Sequence, residues 1–292
     1  MKSFRIRKIH TVRELSFHST INSIQKWLDK KRKKKKKIIL IPTMGNLHQG
    51  HLDLINSYKK RNTETIVSIF VNPMQFNLHE DFDAYPRTLE SDLQTLQTSS
   101  ATSVFAPNVR EMYPFGVRAQ IDIPKISSIL CGASRPGHFQ GVATVVAKLF
   151  NIIKPDVAIF GKKDYQQLQI IRIMANDLLM PIKIVGVETT REISGLALSS
   201  RNDYLLPNEK LIAPSLYGSL LAIRTGLLNK KNIQKTLEKE REKLRDLGFK
   251  IDYLEIRNAS DLTATPFNSK RIIMVAAVLG KARLIDNIIV ET

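Results

Sequence analysis

The chain has 292 residues, 43% of them hydrophobic and 25% charged, a balance that excludes general disorder and leaves room for a sizeable core and a second domain. Its 45 Lys and Arg against 27 Asp and Glu give a formal charge of +18, which makes nucleic acid a first candidate partner. Eight of those charges stand together in Lys30–Lys37 (KKRKKKKK), so the rest of the chain carries +10.

The opening, MKSFRIRKIHTVREL, is basic and lacks the continuous apolar segment of a secretory signal. No apolar run approaches the roughly 20 residues that cross a bilayer, and a single cysteine, Cys131, excludes an intrachain disulfide or a thiolate metal cluster. A soluble cytoplasmic protein is the expectation.

In chain order, Asn22–Leu28 reads as a helix and Lys30–Lys37 as a solvated loop, because eight adjacent charges cannot enter an apolar interior. A polyanion-attracting signal is the alternative, weakened by the lack of nearby stacking aromatics. Ile38–Ile41 (IILI), closed by Pro42, is a buried strand, followed by a helix from His48 to Tyr58. Thr65–Val71 is a second strand, Thr88–Gln97 an amphipathic helix and Val104–Ala106 a short strand. Gly141–Ile153 is a helix, Val157–Phe160 a strand, Tyr165–Leu178 a helix and Ile182–Val187 a strand. Strands alternating with helices predict an α/β parallel sheet covered on both faces. After residue 187 the pattern changes. Helices over Asn208–Leu228 and Lys231–Leu247 precede strands at Ile251–Ile256, Arg271–Val278 and Arg283–Val290, which predicts a smaller α+β domain over residues 188–292.

Three donor-rich stretches point to phosphate. In IPTMGNLHQGHLDLI (Ile41–Ile55), a strand ends in a tight turn and His48 and His51 fall at i and i+3 of a helix start. Both rings can therefore address one site, where orphan backbone N–H groups favour an anion. A zinc reading lacks a further ligand, and the pattern is neither a dinucleotide fingerprint nor a P-loop. The stretch GKKDYQQ (Gly161–Gln167) follows a strand and reaches the same sheet edge, with Lys163 for phosphate, Asp164 for a ribose and Gln167 for a small polar substrate. In GLALSSRN (Gly195–Asn202), Ser199, Ser200 and Arg201 add hydroxyl, amide and guanidinium donors. Together they suit electrostatic stabilisation of a triphosphate rather than attack by a serine. FVNPMQF, with Asn72 and Gln75, and GASRPGHFQG, with Arg135 and His138, are candidate pocket walls; Tyr85 is a further candidate and Asp92 could approach Mg²⁺.

These residues carry a resemblance. PTMGNLHQGH, SIFVNPMQF, DFDAYPRTLESD, FAPNVREMYPFG, RPGHFQGVATVVAKLFNIIKPDVAIFGKKDYQQL, GLALSSRNDYL and GKARLIDN together resemble the pantoate–β-alanine ligase (pantothenate synthetase) family, from about residue 38 to 287. The histidine turn alone would indicate only the wider nucleotidyltransferase superfamily. The resemblance implies a Rossmann-like domain over residues 1–187 that carries ATP and pantoate, a C-terminal lid domain over 188–292, and a homodimer. It implies ATP- and Mg²⁺-dependent condensation of (R)-pantoate with β-alanine through a pantoyl adenylate, giving pantothenate, AMP and diphosphate. No specific nucleic acid and no membrane partner are expected.

By the same resemblance Met44, Gly45, Asn46, Leu47, His48, Gln49, Gly50 and His51 form the ATP loop. Gly161, Lys162, Lys163 and Asp164 form a second ATP segment, Thr190 meets adenine, and Leu198, Ser199, Ser200 and Arg201 close on phosphate. His48, His51, Lys163 and Arg201 are the catalytic set; the family assigns His51 as proton donor, and stabilisation of developing phosphate charge is the preferred reading here. Gln75 and Gln167 grip pantoate, Gln75 and Asn72 lie toward β-alanine, Tyr85, Arg135 and His138 stand at the rim, and Asp92 is the metal candidate. Two departures are Lys162, where the family commonly has Glu, and Ser194, where it has Asp.

Overall fold

Ile38, Ile39, Leu40 and Ile41 are each at most 1% exposed, and they belong to two different cores. Ile38 and Leu40 pack on one face of the sheet and Ile39 and Ile41 on the other, as the two-residue period of a strand requires. Burying each such side chain contributes roughly 1.5–3 kcal/mol, so a continuous apolar run marks a strand covered on both sides. The computed structural model describes residues 15–58, 60–77, 82–264 and 270–291. The opening segment read for targeting signals lies, but for Leu15, outside the described residues.

The large sheet is six-stranded and all parallel, in the order β1-β4-β3-β2-β5-β6. Its strands are β1 (Ser16–His18), β2 (Lys37–Thr43), β3 (Thr63–Ile69), β4 (Ser103–Phe105), β5 (Val157–Gly161) and β6 (Lys183–Val187). Helices α1 (Ile21–Lys33), α6 (His138–Ile153) and α7 (Tyr165–Asp177) cover one face, while α2 (Gln49–Ser57) and α3 (Leu89–Gln97) cover the other. Short helices α4 (Val109–Met112) and α5 (Cys131–Ser134) lie between α3 and α6. The strand order turns around between β2 and β5, and a crevice outside the carboxyl ends of such strands is where open α/β sheets bind ligands. The edge strand β1 is too short to show a period in the sequence.

Half of the lysine run is helical, not a loop. Lys30–Lys33 form the last turn of α1, where basic residues complement the helix dipole. The chain then leaves through a Schellman motif: Lys35 is left-handed at φ 53°, its N–H reaches the Arg32 carbonyl at 2.8 Å and the Lys36 N–H reaches that of Lys31 at 3.2 Å. Arg32 donates to the carbonyls of Ile153 and Lys154, and Lys31 pairs with buried Glu64 at 3.2 Å. The run therefore ties α1 to the sheet as well as meeting solvent.

The C-terminal part carries α8 (Pro207–Ile212), α9 (Ser215–Leu228) and α10 (Ile233–Asp246) on an antiparallel sheet β7 (Lys250–Asn258), β8 (Lys270–Leu279) and β9 (Ala282–Glu291). This is the smaller α+β lid expected after the parallel sheet. The single helix expected over 208–228 is two, separated at Ala213–Pro214. Against the expectation of no such segment, Pro207–Leu228 is the one stretch among the described residues long and apolar enough to cross a membrane by length and composition. Leu216, Leu220, Ile223 and Leu227 of α9 pack into a third core with Val275, Ala277 and Leu284 of β8 and β9.

Candidate active site

At the carboxyl end of β2 the chain turns sharply through Gly45, at φ +86°. A Cβ there would stand 2.9 Å from the Asp92 carboxylate, so the position needs glycine. The turn delivers His48 as the N-cap of α2. Its Nδ1 accepts the Gly50 N–H at 3.1 Å, while the Nδ1 of His51 accepts the His48 N–H at 3.2 Å. Two imidazoles thus form a reciprocal cap, their ring centroids 4.2 Å apart. Burial, with Lys163 adding to it, lowers His48 to about 4; burial, with His48 and then Lys163, lowers His51 to about 3. Both rings are neutral at pH 7, and with Nδ1 accepting, each proton sits on Nε2.

Asp92, 2% exposed, has both oxygens engaged. Oδ2 accepts from Asn46 N at 3.1 Å and Thr88 Oγ1 at 3.2 Å, and Oδ1 accepts from Leu47 N at 2.8 Å. Its chemistry is that of a turn anchor, and a Mg²⁺ ligand role does not fit a carboxylate so committed. Among the described residues no group of three or more His, Cys, Asp or Glu could hold a metal. Asn72 is likewise turned from ligand contact to support: fully buried, it donates to Gln75 Oε1 at 3.3 Å and to the Gly141 carbonyl at 3.1 Å and accepts from Tyr113 Oη at 2.9 Å. Gln75 in turn donates to Met44 Sδ at 3.1 Å. His138 Nδ1 donates to the Gln75 carbonyl at 2.8 Å, and its Nε2 meets Arg135 at 3.0 Å.

The second stretch sits at the end of β5 as a 3₁₀ turn, Lys162–Asp164. Lys162 forms an ion pair with Glu188, so the added charge of this departure is matched across the turn. Burial lowers the pKa of Lys163; Asp164 opposes that shift, Arg201 adds to it and Asp286 opposes it. Thr190 donates through its hydroxyl to Asp53 at 2.6 Å and accepts the Leu198 N–H on its carbonyl at 3.0 Å. Gln49 holds the other oxygen of Asp53 at 2.8 Å. Ser199 caps the turn that carries Arg201, accepting its N–H at 3.3 Å. Ser194 accepts the Leu196 N–H at 3.4 Å, the local bond an Asp would make.

A cavity of about 240 Å³ is bordered by Met44, His48, Gly50, His51, Gln75, Tyr85, Gly161, Lys163, Asp164, Gln167, Thr190 and Leu198 to Arg201. Beside it, a larger cleft of about 650 Å³ shares Lys163, Asp164, Gln167, Ser199 and Arg201 and adds Arg135 and His138, with Asp286 and Asn287 of β9 on its lid side. Gly45, Asn46, Leu47, Gln49, Asn72, Asp92 and Lys162 border neither. Asp53, Tyr113, Arg191, Asp286 and Asn287 were not anticipated. All but Arg191 lie within stretches that the sequence singles out: Asp53 in IPTMGNLHQGHLDLI, Tyr113 in FAPNVREMYPFG, and Asp286 and Asn287 in GKARLIDN.

A sequence profile of the family described as pantoate–β-alanine ligase matches residues 16–289. The chain belongs to the pantoate–β-alanine ligase family. Its reaction is the ATP-dependent condensation of pantoate with β-alanine. A pantothenate synthetase of Shewanella sp. (strain MR-7) is 52% identical over 254 residues, 86% of this chain and 90% of that relative. The crystal structure of pantothenate synthetase from Thermus thermophilus superimposes with a TM-score of 0.88 at 42% identity, over 94% of this chain and 99% of that one. A pantoate–β-alanine ligase from Francisella tularensis, complexed with β,γ-ATP and β-alanine, gives 0.80 at 36% identity, over 94% and 97%.

Proposed function

We propose that residues 1–187 hold ATP and pantoate, that 188–292 close over them, and that His48, His51, Lys163 and Arg201 act as an electrostatic cradle for adenylation. The reading is supported chiefly by one observation: these four, with Gln75 and Gln167, come from four separated stretches of chain and border one cavity. The pantoate carboxylate attacks the α-phosphorus, diphosphate leaves, and a pantoyl adenylate remains. The neutral Nε2–H groups of His48 and His51 then serve as fixed donors to phosphate oxygens, which costs no reorganisation as charge develops. Rings held near pKa 4 and 3 carry no ready proton at pH 7, which supports the donor role over that of an acid.

Asp164 takes the ribose, Thr190 backbone groups the adenine, Met44 to His51 and Leu198 to Arg201 the phosphates, and Gln75 and Gln167 the pantoate. The amine of β-alanine then attacks the acyl carbon and AMP leaves, with Arg135, His138 and Tyr85 at the approach. Mg²⁺ enters on the triphosphate as part of the substrate. The active species is a cytoplasmic homodimer without nucleic-acid or membrane partners. Formation of pantothenate and AMP tests the assignment: Lys163→Ala and His48→Ala should each lose roughly 10²-fold or more with the fold intact. Near wild-type turnover by Lys163→Ala would overturn it.

A further inference from the structure

Two loops carry the cations of the cleft, and one turn of strand touches both. The buried Asn287 of β9 donates its single amide nitrogen to two successive carbonyls, Lys162 at 2.9 Å and Lys163 at 2.8 Å. Its neighbour Asp286, 4% exposed, grips Arg191 with both oxygens at 2.6 and 2.8 Å and accepts the Asn287 N–H at 2.8 Å. Arg191 lies over the Tyr217 ring, 3.7 Å from its centroid, and donates to the Gly195 carbonyl at 3.1 Å. The bridge between Arg191 and Ala197 then passes this constraint to the turn that begins at Ser199 and carries Arg201. A bidentate carboxylate–guanidinium pair fixes orientation as well as distance, and here it is partly buried, with the guanidinium against an aromatic face.

The turn at Lys162–Lys163 lies just beyond Gly161, the last residue of β5 in register with β6. The Asn287 amide donates to both carbonyls of that turn and so restrains the backbone that carries the Lys163 side chain. We propose that Asp286 and Asn287 are positioning residues for adenylation: Asn287 aims Lys163, Asp286 holds the Arg201 loop through Arg191, and their adjacency on β9 fixes the two cations relative to each other. Neither touches the reacting atoms. The inference rests on the role given to Lys163 above. It also gives the lid strand a part in phosphate chemistry beyond covering the site, since misplacing a catalytic group by about 1 Å can cost roughly 10²-fold in rate.

The test is a double-mutant cycle on the full-length protein, read by pantoate-dependent exchange of pyrophosphate into ATP. Asn287→Ala should lower exchange roughly 10- to 100-fold, and Lys163→Ala/Asn287→Ala should be no slower than Lys163→Ala alone, because Asn287 acts through Lys163. Supplied with preformed pantoyl adenylate, Asn287→Ala should release pantothenate with β-alanine within about threefold of wild type. Multiplicative losses in the cycle, or equal losses in both half-reactions, would overturn the inference. Wild-type exchange by Lys163→Ala would instead overturn the assignment of Lys163 on which it stands. If Asn287→Ala fails to fold, Asn287→Ser, which keeps one shorter donor, goes through the same cycle with the same criteria.

Discussion

The Nδ1 atom of His51 accepts the backbone N–H of His48 at 3.2 Å, while the Nδ1 of His48 accepts that of Gly50 at 3.1 Å. This exchange closes the amino end of α2 with side chains that also face the cavity. One geometry therefore sets helix start, tautomer and charge state together, because an atom that accepts an N–H cannot carry a proton.

The acid behaviour follows. His48 at about 4 and His51 at about 3 lie below the unfolded value near 6.5, so below pH 6.5 the unfolded chain binds more protons than the native one. Stability contributed by these rings is full above that value and falls as pH drops toward 4 and 3. Imidazole resonances of His48 and His51 should show no titration midpoint between pH 5.5 and 8. A midpoint near 6.5 in either would contradict the reciprocal cap.

Asp92 separates turn support from metal binding. Asp92→Asn keeps one acceptor oxygen where two are used, and should cost about 1–3 kcal/mol in denaturant unfolding. It should lower exchange activity through the Met44–Leu47 turn while leaving the Mg²⁺ concentration for half-activity within about twofold. A tenfold rise in that concentration would restore Asp92 as a ligand.

Lys162 should matter little to nucleotide affinity. Its ammonium is paired with Glu188, whose carboxylate is mostly exposed, and such a pair contributes roughly 0–1 kcal/mol. Lys162→Ala should change the KM for ATP by less than about threefold in steady-state assays, against a much larger change in kcat for Lys163→Ala.

The lysine run yields a stability test. Lys35 holds φ 53° at the position where helices favour glycine. Lys35→Gly should raise the unfolding free energy by about 0.5–1 kcal/mol without changing turnover. A loss of stability would exclude the left-handed cap.

Much of the fold was legible because burial on both faces of a parallel strand leaves an unbroken apolar run, as in Ile38–Ile41. The helix through Lys30–Lys33 was not, since charge density alone hides a helix whose apolar face, Ile24 and Leu28, precedes the run. In the site, the loops carrying His48, Lys163 and Arg201 announced themselves by composition and spacing, and four stretches do meet at one cavity. Residues that act by distant hydrogen bonds left no such trace. Asn72 looked like a ligand contact and supports Gln75, Asp92 looked like a metal ligand and anchors a turn, and Asn287 reaches Lys163 across a separation of 124 residues. Each partnership exists only once the sheet order and the lid are in place.

The central claim is that the cradle of His48, His51, Lys163 and Arg201 adenylates pantoate before β-alanine takes part. Exchange of labelled pyrophosphate into ATP, with Mg²⁺ and pantoate present and β-alanine absent, measures that step alone. The account predicts exchange that requires pantoate and falls roughly 10²-fold or more in Lys163→Ala and His48→Ala. Exchange that is absent from folded wild-type protein, or that proceeds without pantoate, would contradict it.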